Sequence, residues 1–455
     1  PVFKNAKPSN IPGVRDPSGW QRIQLSAPAS RIKSIVRALK SFEGVTEAEP
    51  VYERKLSITG PLVSELDDPK MGDQWHLDAA KIKEAWAFLE SNSLPAGGDD
   101  SIVVAVIDSG VDYDHPDLAA NMWVNTQEIP ANNVDDDNNG FVDDIHGVSV
   151  VSESYSHSGD PDDDNGHGTH VAGIIASTGA NGVGGVGVAY NSKIMAVKAA
   201  QYSGVLTTTD IAEGIMYAVD NGADVINMSY GGYGRSQVEE DALAIAYSQA
   251  ILVGAAGNDG RTNQVACLGA PFYPGSYPWV LGVMASLNVT GTADHLAGFS
   301  NRECVLDNSI EYELMAPGAS IWSTLPDDSY SAWSGTSMAA PVVAGMAVLA
   351  RTRWPDKTIY SSRFIMGQLG STGPFKKAFT PPVGGVPVFY RHADAYNSLT
   401  STPQPKLSYE AHWLFDEIAL GDGNDDDGRV DAGESVELAI VIRNHWGKAE
   451  NVVAT

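Results

Sequence analysis

Three short segments carry residues that could make and break an acyl bond. Gly335-Thr336-Ser337-Met338-Ala339-Ala340-Pro341 sets a serine among small neighbours, ahead of an apolar run from Val342 to Leu349. Small flanks admit another backbone close to the hydroxyl. A helix opening there aims free N–H groups at whatever the hydroxyl attacks. Ile102–Asp108 is an apolar, β-branched run ending in a carboxylate and a Ser109-Gly110 turn. It predicts a buried parallel strand, and catalytic groups collect at the carboxyl ends of such strands. Asn165-Gly166-His167-Gly168-Thr169-His170-Val171-Ala172-Gly173 puts a histidine between glycines at the head of an apolar helix. Taken singly, these are a serine in a turn, a capping aspartate and a core histidine. Together they supply a nucleophile, a base and an orienting acid. Ser337 needs a base at neutral pH, His167 titrates in that range, and Asp108 would hold its tautomer. His170 is read as a structural histidine.

Along the chain the three run Asp, His, Ser, the subtilisin order. The Asp-Ser-Gly, His-Gly-Thr-His-Val-Ala-Gly and Gly-Thr-Ser-Met-Ala-Ala-Pro segments resemble the three signatures of the subtilisin-like serine proteases, or subtilases, across residues 70–400. The resemblance implies a serine endopeptidase that hydrolyses peptide bonds through an acyl-enzyme. It gives Asn258, after the strand-like Ile251–Ala256, the second oxyanion donor beside the Ser337 N–H. It makes Ser229, Tyr230 and Gly231 an edge that pairs with an extended peptide, and main-chain pairing implies broad specificity. Ala255, Ala256 and Gly257 would form the opposite wall of the primary pocket. Phe272 stands where relatives often have a small residue, so a shallow pocket for mid-sized apolar side chains is expected. A cis bond is expected at Tyr273-Pro274. Two other uses of these segments are a non-hydrolytic scaffold and a transpeptidase. Intact Asp108, His167, Ser337 and Asn258 argue against the first, and no added elements mark the second.

The chain has 455 residues, enough for two or three domains, and 43% hydrophobic residues, enough for a large core. No apolar run reaches membrane-spanning length. A net charge of −28 argues against nucleic acid or anionic lipid as partner, and the resemblance implies protein and peptide substrates. The two cysteines, Cys267 and Cys304, are either one bridge in an exported protein or two inert thiols. The chain opens on Pro1 rather than Met, so an upstream segment is expected. The resemblance implies a secreted protein, read here as a monomer.

Strands and helices alternate from 102 onward: strand 102–107, helix 167–177, strand 193–199, helix 209–221, strand 223–229, helix 236–249, strands 251–256 and 279–285. This rhythm predicts an α/β fold, a doubly wound, mainly parallel sheet with helices on both faces. Residues 1–57 resemble the end of a subtilase propeptide, which the family uses as intramolecular inhibitor and chaperone. Residues 58–72 would be the linker carrying the maturation cut, and 73–400 the catalytic domain. Residues 405–455 alternate at Leu414–Leu420 and Val436–Ile442 like the opening strands of a β-sandwich module, incomplete at Thr455.

Clusters of Asp with Asn and Gly read as calcium loops or as solvated faces, and these have ligand spacing. Asp135, Asp137, Asn139 and Asp143 fit the first half of an EF-hand loop, but His146 stands at the twelfth position, so the full motif fails. Asp425, Asp427, Asp431 and Glu434 fit a second such loop. The family resemblance implies a third Ca2+ site with Gln74, Asp117 and Asn181 as side-chain ligands. Asp160–Asp164, just before His167, either binds an ion, raises the His167 pKa, selects basic side chains, or is a solvated loop.

Overall fold

In the computed structural model the described residues are 61–152, 159–260, 271–302, 312–380 and 387–401, together with the backbone of two strands beyond them. Helices α1 (Trp75–Ala79) and α2 (Ile82–Ser91) open this part of the chain. Then come β1 (Val103–Asp108), β2 (Gly147–Ser149), α3 (His167–Ala176), β3 (Lys193–Lys198), α4 (Thr208–Asp220) and β4 (Val225–Met228). Next are α5 (Gln237–Ala246), β5 (Ile251–Ala255), β6 (Leu281–Ser286) and β7 (Leu314–Pro317). A hairpin of β8 (Ile321–Leu325) and β9 (Ser329–Trp333) leads into α6 (Thr336–Arg353), followed by α7 (Ser362–Ser371), the pair β10 (Phe375–Phe379) and β11 (Val388–Arg391), and α8 (Ala395–Thr400).

Seven strands form one parallel sheet in the order β2-β3-β1-β4-β5-β6-β7. The expected α/β architecture is present, with small antiparallel sheets added. The strands are β-branched and buried on both faces, as a sheet covered by helices requires. The order doubles back at β1, which has β3 on one side and β4 on the other. Such a reversal leaves a crevice beyond the carboxyl ends of the strands. Asp108 ends β1, Ser229 directly follows β4, and Asn258 lies just beyond β5.

Of the eighteen residues of α6, only Ser337 and Arg353 are not buried. The helix is apolar all round because it runs through the core, against β4, β5, β6 and β7. Its first turn is therefore fixed by the whole domain. Among the described residues no helix is long and apolar enough to cross a membrane.

Further along, β12 (Leu407–Phe415) pairs antiparallel with β13 (Glu437–Asn444). The first strand lies earlier than 414–420, because the alternation Leu407, Tyr409, Ala411, Trp413, Phe415 already satisfies the two-residue strand period. Residues 1–57, Cys267, Cys304, Asp425, Asp427, Asp431 and Glu434 lie outside the described residues.

Candidate active site

Asp108 ends β1 with its side chain buried, 4% exposed. One carboxylate oxygen, Oδ1, accepts the Ser109 N–H (2.8 Å) and lies 2.7 Å from His167 Nδ1. A carboxylate only accepts, so the proton of this pair sits on Nδ1 and leaves the Nε2 lone pair free to act as base. Burial alone would lower the His167 pKa. The Asp108 charge and hydrogen bond, then the Asp163 charge, more than offset this, and the imidazole titrates above the ordinary histidine range.

His167 is the first residue of α3, and what holds that helix end against β1 is Asp163. This aspartate is 6% exposed and accepts five hydrogen bonds. Its Oδ1 takes the Ser109 hydroxyl (2.8 Å) and the N–H groups of Asn165 (3.0 Å) and Gly166 (2.9 Å). Its Oδ2 takes the Thr169 N–H (2.9 Å) and hydroxyl (2.6 Å). The Ser109 hydroxyl also accepts the Gly168 N–H (2.9 Å). The segments bearing Asp108 and His167 are thus tied together through one buried carboxylate. They approach so closely that a Cβ on Gly168 would fall 2.0 Å from the Gly110 carbonyl.

Ser337 sits in the first turn of α6. Pro341, four residues on, has no N–H to give the Ser337 carbonyl. The Ser229 hydroxyl donates to it instead (2.9 Å), while itself accepting from Asn227 Nδ2 (2.9 Å). The Ser337 hydroxyl in turn donates to the Ser229 carbonyl (2.8 Å). Turning that proton toward His167 takes a rotation of the Ser337 hydroxyl, and catalytic hydrogen bonds often tighten only when substrate is bound.

Asn258 is oriented by Thr336. Its Oδ1 accepts the Thr336 N–H (2.8 Å) and hydroxyl (2.9 Å), so its Nδ2 points away from them. A Cβ on Gly335 would lie 3.5 Å from that Nδ2 and 3.6 Å from Ser337 N. Two donors therefore face the same small space beside the serine.

Asp108, His167, Asn258 and Ser337 all line one cleft of about 530 Å³. Ser229, Tyr230, Gly231, Ala255, Gly257 and Phe272 line it too. Ala256 does not. Successive residues leaving β5 alternate in direction, so Ala256 turns the other way and packs beside Met284 and Met315. The edge ends at Gly231, since Gly232 is bonded to Tyr273 in both directions (2.8 and 2.7 Å). Phe272 fills the space between the walls. Its ring lies 2.4 Å from where a Cβ on Gly231 would be and 2.9 Å from one on Gly257, and it meets Tyr233 edge-on at 5.2 Å. The Tyr273-Pro274 bond is cis. His170 is buried and stacked on Trp333 at 4.8 Å, with Nε2 at the Ser331 carbonyl, and burial pulls its pKa down to about 4.

Comparison with known proteins decides the family. The sequence profile of the subtilase family matches residues 99–366. The chain belongs to the subtilase family. Over 319 residues this subtilase is 35% identical to the thermophilic serine proteinase of Bacillus sp. (strain AK1), covering 70% of the chain and 66% of the relative. It is 36% identical to subtilisin DY of Bacillus licheniformis over 274 residues, covering 60% of the chain and 83% of the relative. It is 34% identical to subtilisin-like protease 1 of Plasmodium berghei (strain Anka) over 303 residues, 63% of the chain. The chain spans under half the length of that last relative, 47%.

Two regions of the subtilase domain gather oxygen ligands. Asp117 is fully buried and its Oδ2 has no hydrogen-bond partner, while its Oδ1 accepts from Asn181 Nδ2 (2.8 Å). Burial pushes its pKa up to about 7 against the lowering effect of that hydrogen bond. Gly184, at φ +52°, comes so close that a Cβ there would be 2.3 Å from Asp117 Oδ2. Gly185 stands likewise against Gln74 Oε1 (2.7 Å). Gln74 itself clasps the Val186 backbone, accepting at 2.8 Å and donating at 3.0 Å.

In the Asp-rich loop the structure assembles a set other than the expected one. Glu128, Asp137 and Asp144 bring carboxylate oxygens within 4.8 Å of one another. Asp135 accepts the N–H groups of Asn139 and Gly140 (3.1 and 3.0 Å), and Asp143 those of Asn132 and Asn133 (3.1 and 2.9 Å). Both serve as turn caps, a competing use of Asp that residue spacing alone does not reveal. Asn139 Nδ2 bridges Asp137 and Asp144 (3.1 and 2.9 Å).

Sequence reading missed Glu128, Asp144, Ser109 and Thr169, and gave Asp163 no separate role. The available signal for Asp163 was its place three residues before the Gly166 cap of α3, where a carboxylate can collect free helix N–H groups.

Proposed function

We propose that this subtilase is a serine endopeptidase that cleaves peptide bonds through an acyl-enzyme on Ser337. The observation that carries this reading is the 2.7 Å Asp108–His167 contact in a cleft shared with Ser337 and Asn258. As the Ser337 oxygen attacks the scissile carbonyl, His167 Nε2 takes its proton and Asp108 steadies the imidazolium. The Ser337 N–H and Asn258 Nδ2 receive the charge that develops on the carbonyl oxygen. His167 returns the proton to the leaving amine, and water then repeats the sequence in reverse order. Phe272 supports a shallow primary pocket that favours mid-sized apolar side chains.

Calcium would stabilise the fold and takes no part in these steps. Asp117, Asn181 and Gln74 fit such an ion: an orphaned buried carboxylate oxygen in a cradle of close-approaching glycine backbone is a poor structure without a cation and a good one with it. Glu128, Asp137 and Asp144 offer a second oxygen-rich set. We extend the reading to a secreted zymogen whose residues 1–57 act as propeptide, cleaved within 58–72, and whose residues 405–455 begin an accessory module.

The test is to incubate the protein with an unstructured polypeptide in calcium and identify the products by mass spectrometry, with Ser337→Ala as control. Internal cuts with free carboxyl ends, absent from the variant, are expected. No cleavage by folded wild-type protein would overturn the reading, and ligated products would redirect it to transpeptidation. N-terminal sequencing of the incubated protein reports separately on a cut within 58–72.

A further inference from the structure

Part of the cleft lining takes no part in the catalytic chemistry. Tyr230 lines it, as do Leu206 and Ile211 from around the start of α4 and Glu239 from the first turn of α5. Glu239 is 3% exposed yet lines the cleft. Among the described residues no cation pairs with it. Arg235, the nearest cation in sequence, is engaged by Glu240 through two contacts (2.7 and 2.6 Å). The Tyr277 hydroxyl, which also reaches the Ser236 carbonyl (2.9 Å), is its hydrogen-bond neighbour. Burial accordingly pushes the Glu239 pKa up to about 7, against the lowering effect of Tyr277. The Tyr230 hydroxyl is also buried, feels the Glu239 charge, and has no hydrogen-bond partner. A buried hydroxyl without a partner, beside a buried carboxylate that has no ion pair among the described residues, is costly unless something enters to meet them.

The direction of the groove identifies what enters. His167 protonates the leaving amine, so the leaving group lies on the imidazole side of Ser337. The edge Ser229–Gly231 and the space beyond it take the acyl side. We propose that Glu239 and the Tyr230 hydroxyl form the floor of a subsite that selects an arginine or lysine side chain upstream of the scissile bond. The aliphatic stem would lie along Leu206 and Ile211, and the cationic head would reach the carboxylate and the hydroxyl together. The inference rests on the proteolytic reading and narrows the broad specificity that main-chain pairing alone would give.

The test uses the full chain in calcium and quenched fluorescent peptides that differ at each of the four positions upstream of the cut. Lysine is compared with norleucine, and arginine with citrulline, so that size is held and charge is changed. At one of these positions the charged peptide should have a kcat/KM about tenfold higher or more. Glu239→Gln should bring the two rates to within about twofold, and Tyr230→Phe should reduce the ratio by several fold. Fluorophosphonate labelling of each variant reports whether its fold is intact. No preference for charge at any upstream position in the wild type, or a preference that survives Glu239→Gln, would overturn the subsite. Failure to cleave any peptide would instead count against the proteolytic reading.

Discussion

Asp163 and Asp117 are both buried carboxylates, and the fold treats them in opposite ways. Asp163 receives five hydrogen bonds and joins the segments that carry Asp108 and His167. Asp117 keeps one oxygen without a hydrogen-bond partner, among glycines packed closely around it. A carboxylate whose lone pairs are met by fixed N–H and O–H groups is a positioning device. One that is desolvated and left unmet is costly, and on the proposed reading a cation would meet it. Position in the fold follows the same division: Asp163 lies at the strand switch point, and Asp117 in a loop away from the cleft.

The largest effect that sharpens this contrast is loss of the groups Asp163 serves. His167→Ala or Asp108→Asn should lower kcat roughly 10⁴-fold or more with little change in KM, read from steady-state kinetics. Asn258→Ala should cost about 10²–10³ in kcat, a magnitude carried over from a subtilisin. Asp163→Asn places amide hydrogens against N–H groups that now donate. It should lower kcat about 10–100-fold by shifting the imidazole. It also removes a negative charge that raises the His167 pKa, so the acidic limb of the kcat/KM profile should move to lower pH. A purely structural role would lower the amount of active protein, counted by active-site titration, and leave that limb in place.

Calcium removal probes the other carboxylate. Chelation should lower the melting temperature by on the order of 10 °C, and Asp117→Asn should abolish most of the difference. Without calcium, burial pushes the Asp117 pKa up to about 7, above the ordinary aspartate range, so the folded state holds its proton more tightly. The stability linked to this group is full below about pH 4 and is lost as pH rises through 7, by a few kcal/mol at most. Adding calcium should flatten that slope. A melting temperature indifferent to chelator would break the comparison. The smallest effect is on specificity: Phe272→Gly should raise the relative rate on large aromatic residues just before the cut by about fivefold.

The parallel sheet and the positions of its helices were legible in the sequence, because a buried β-branched strand and an apolar helix have distinct periods. Asp108, His167 and Ser337 were legible because each sits at the end or start of such an element. Asp163 was visible as charge but not as structure, since its partners are backbone N–H groups that composition does not display. Ala256 was assigned to the pocket wall although the two-residue alternation turns it away from its neighbours. In the acidic loop, spacing pointed to Asp135 and Asp143, whereas the fold uses them as turn caps and brings in Glu128 from outside the motif. In the acidic loop the cause is that hydrogen bonds to backbone compete for the same carboxylates that sequence patterns assign to metals.

The most direct measurement is reaction with a fluorophosphonate probe followed by peptide mapping of the adduct. The account predicts stoichiometric label on Ser337 in the wild-type protein, with labelling slowed by orders of magnitude in folded His167→Ala. Folded wild-type protein that takes no label, takes it at another residue, or labels equally fast without His167 would contradict it.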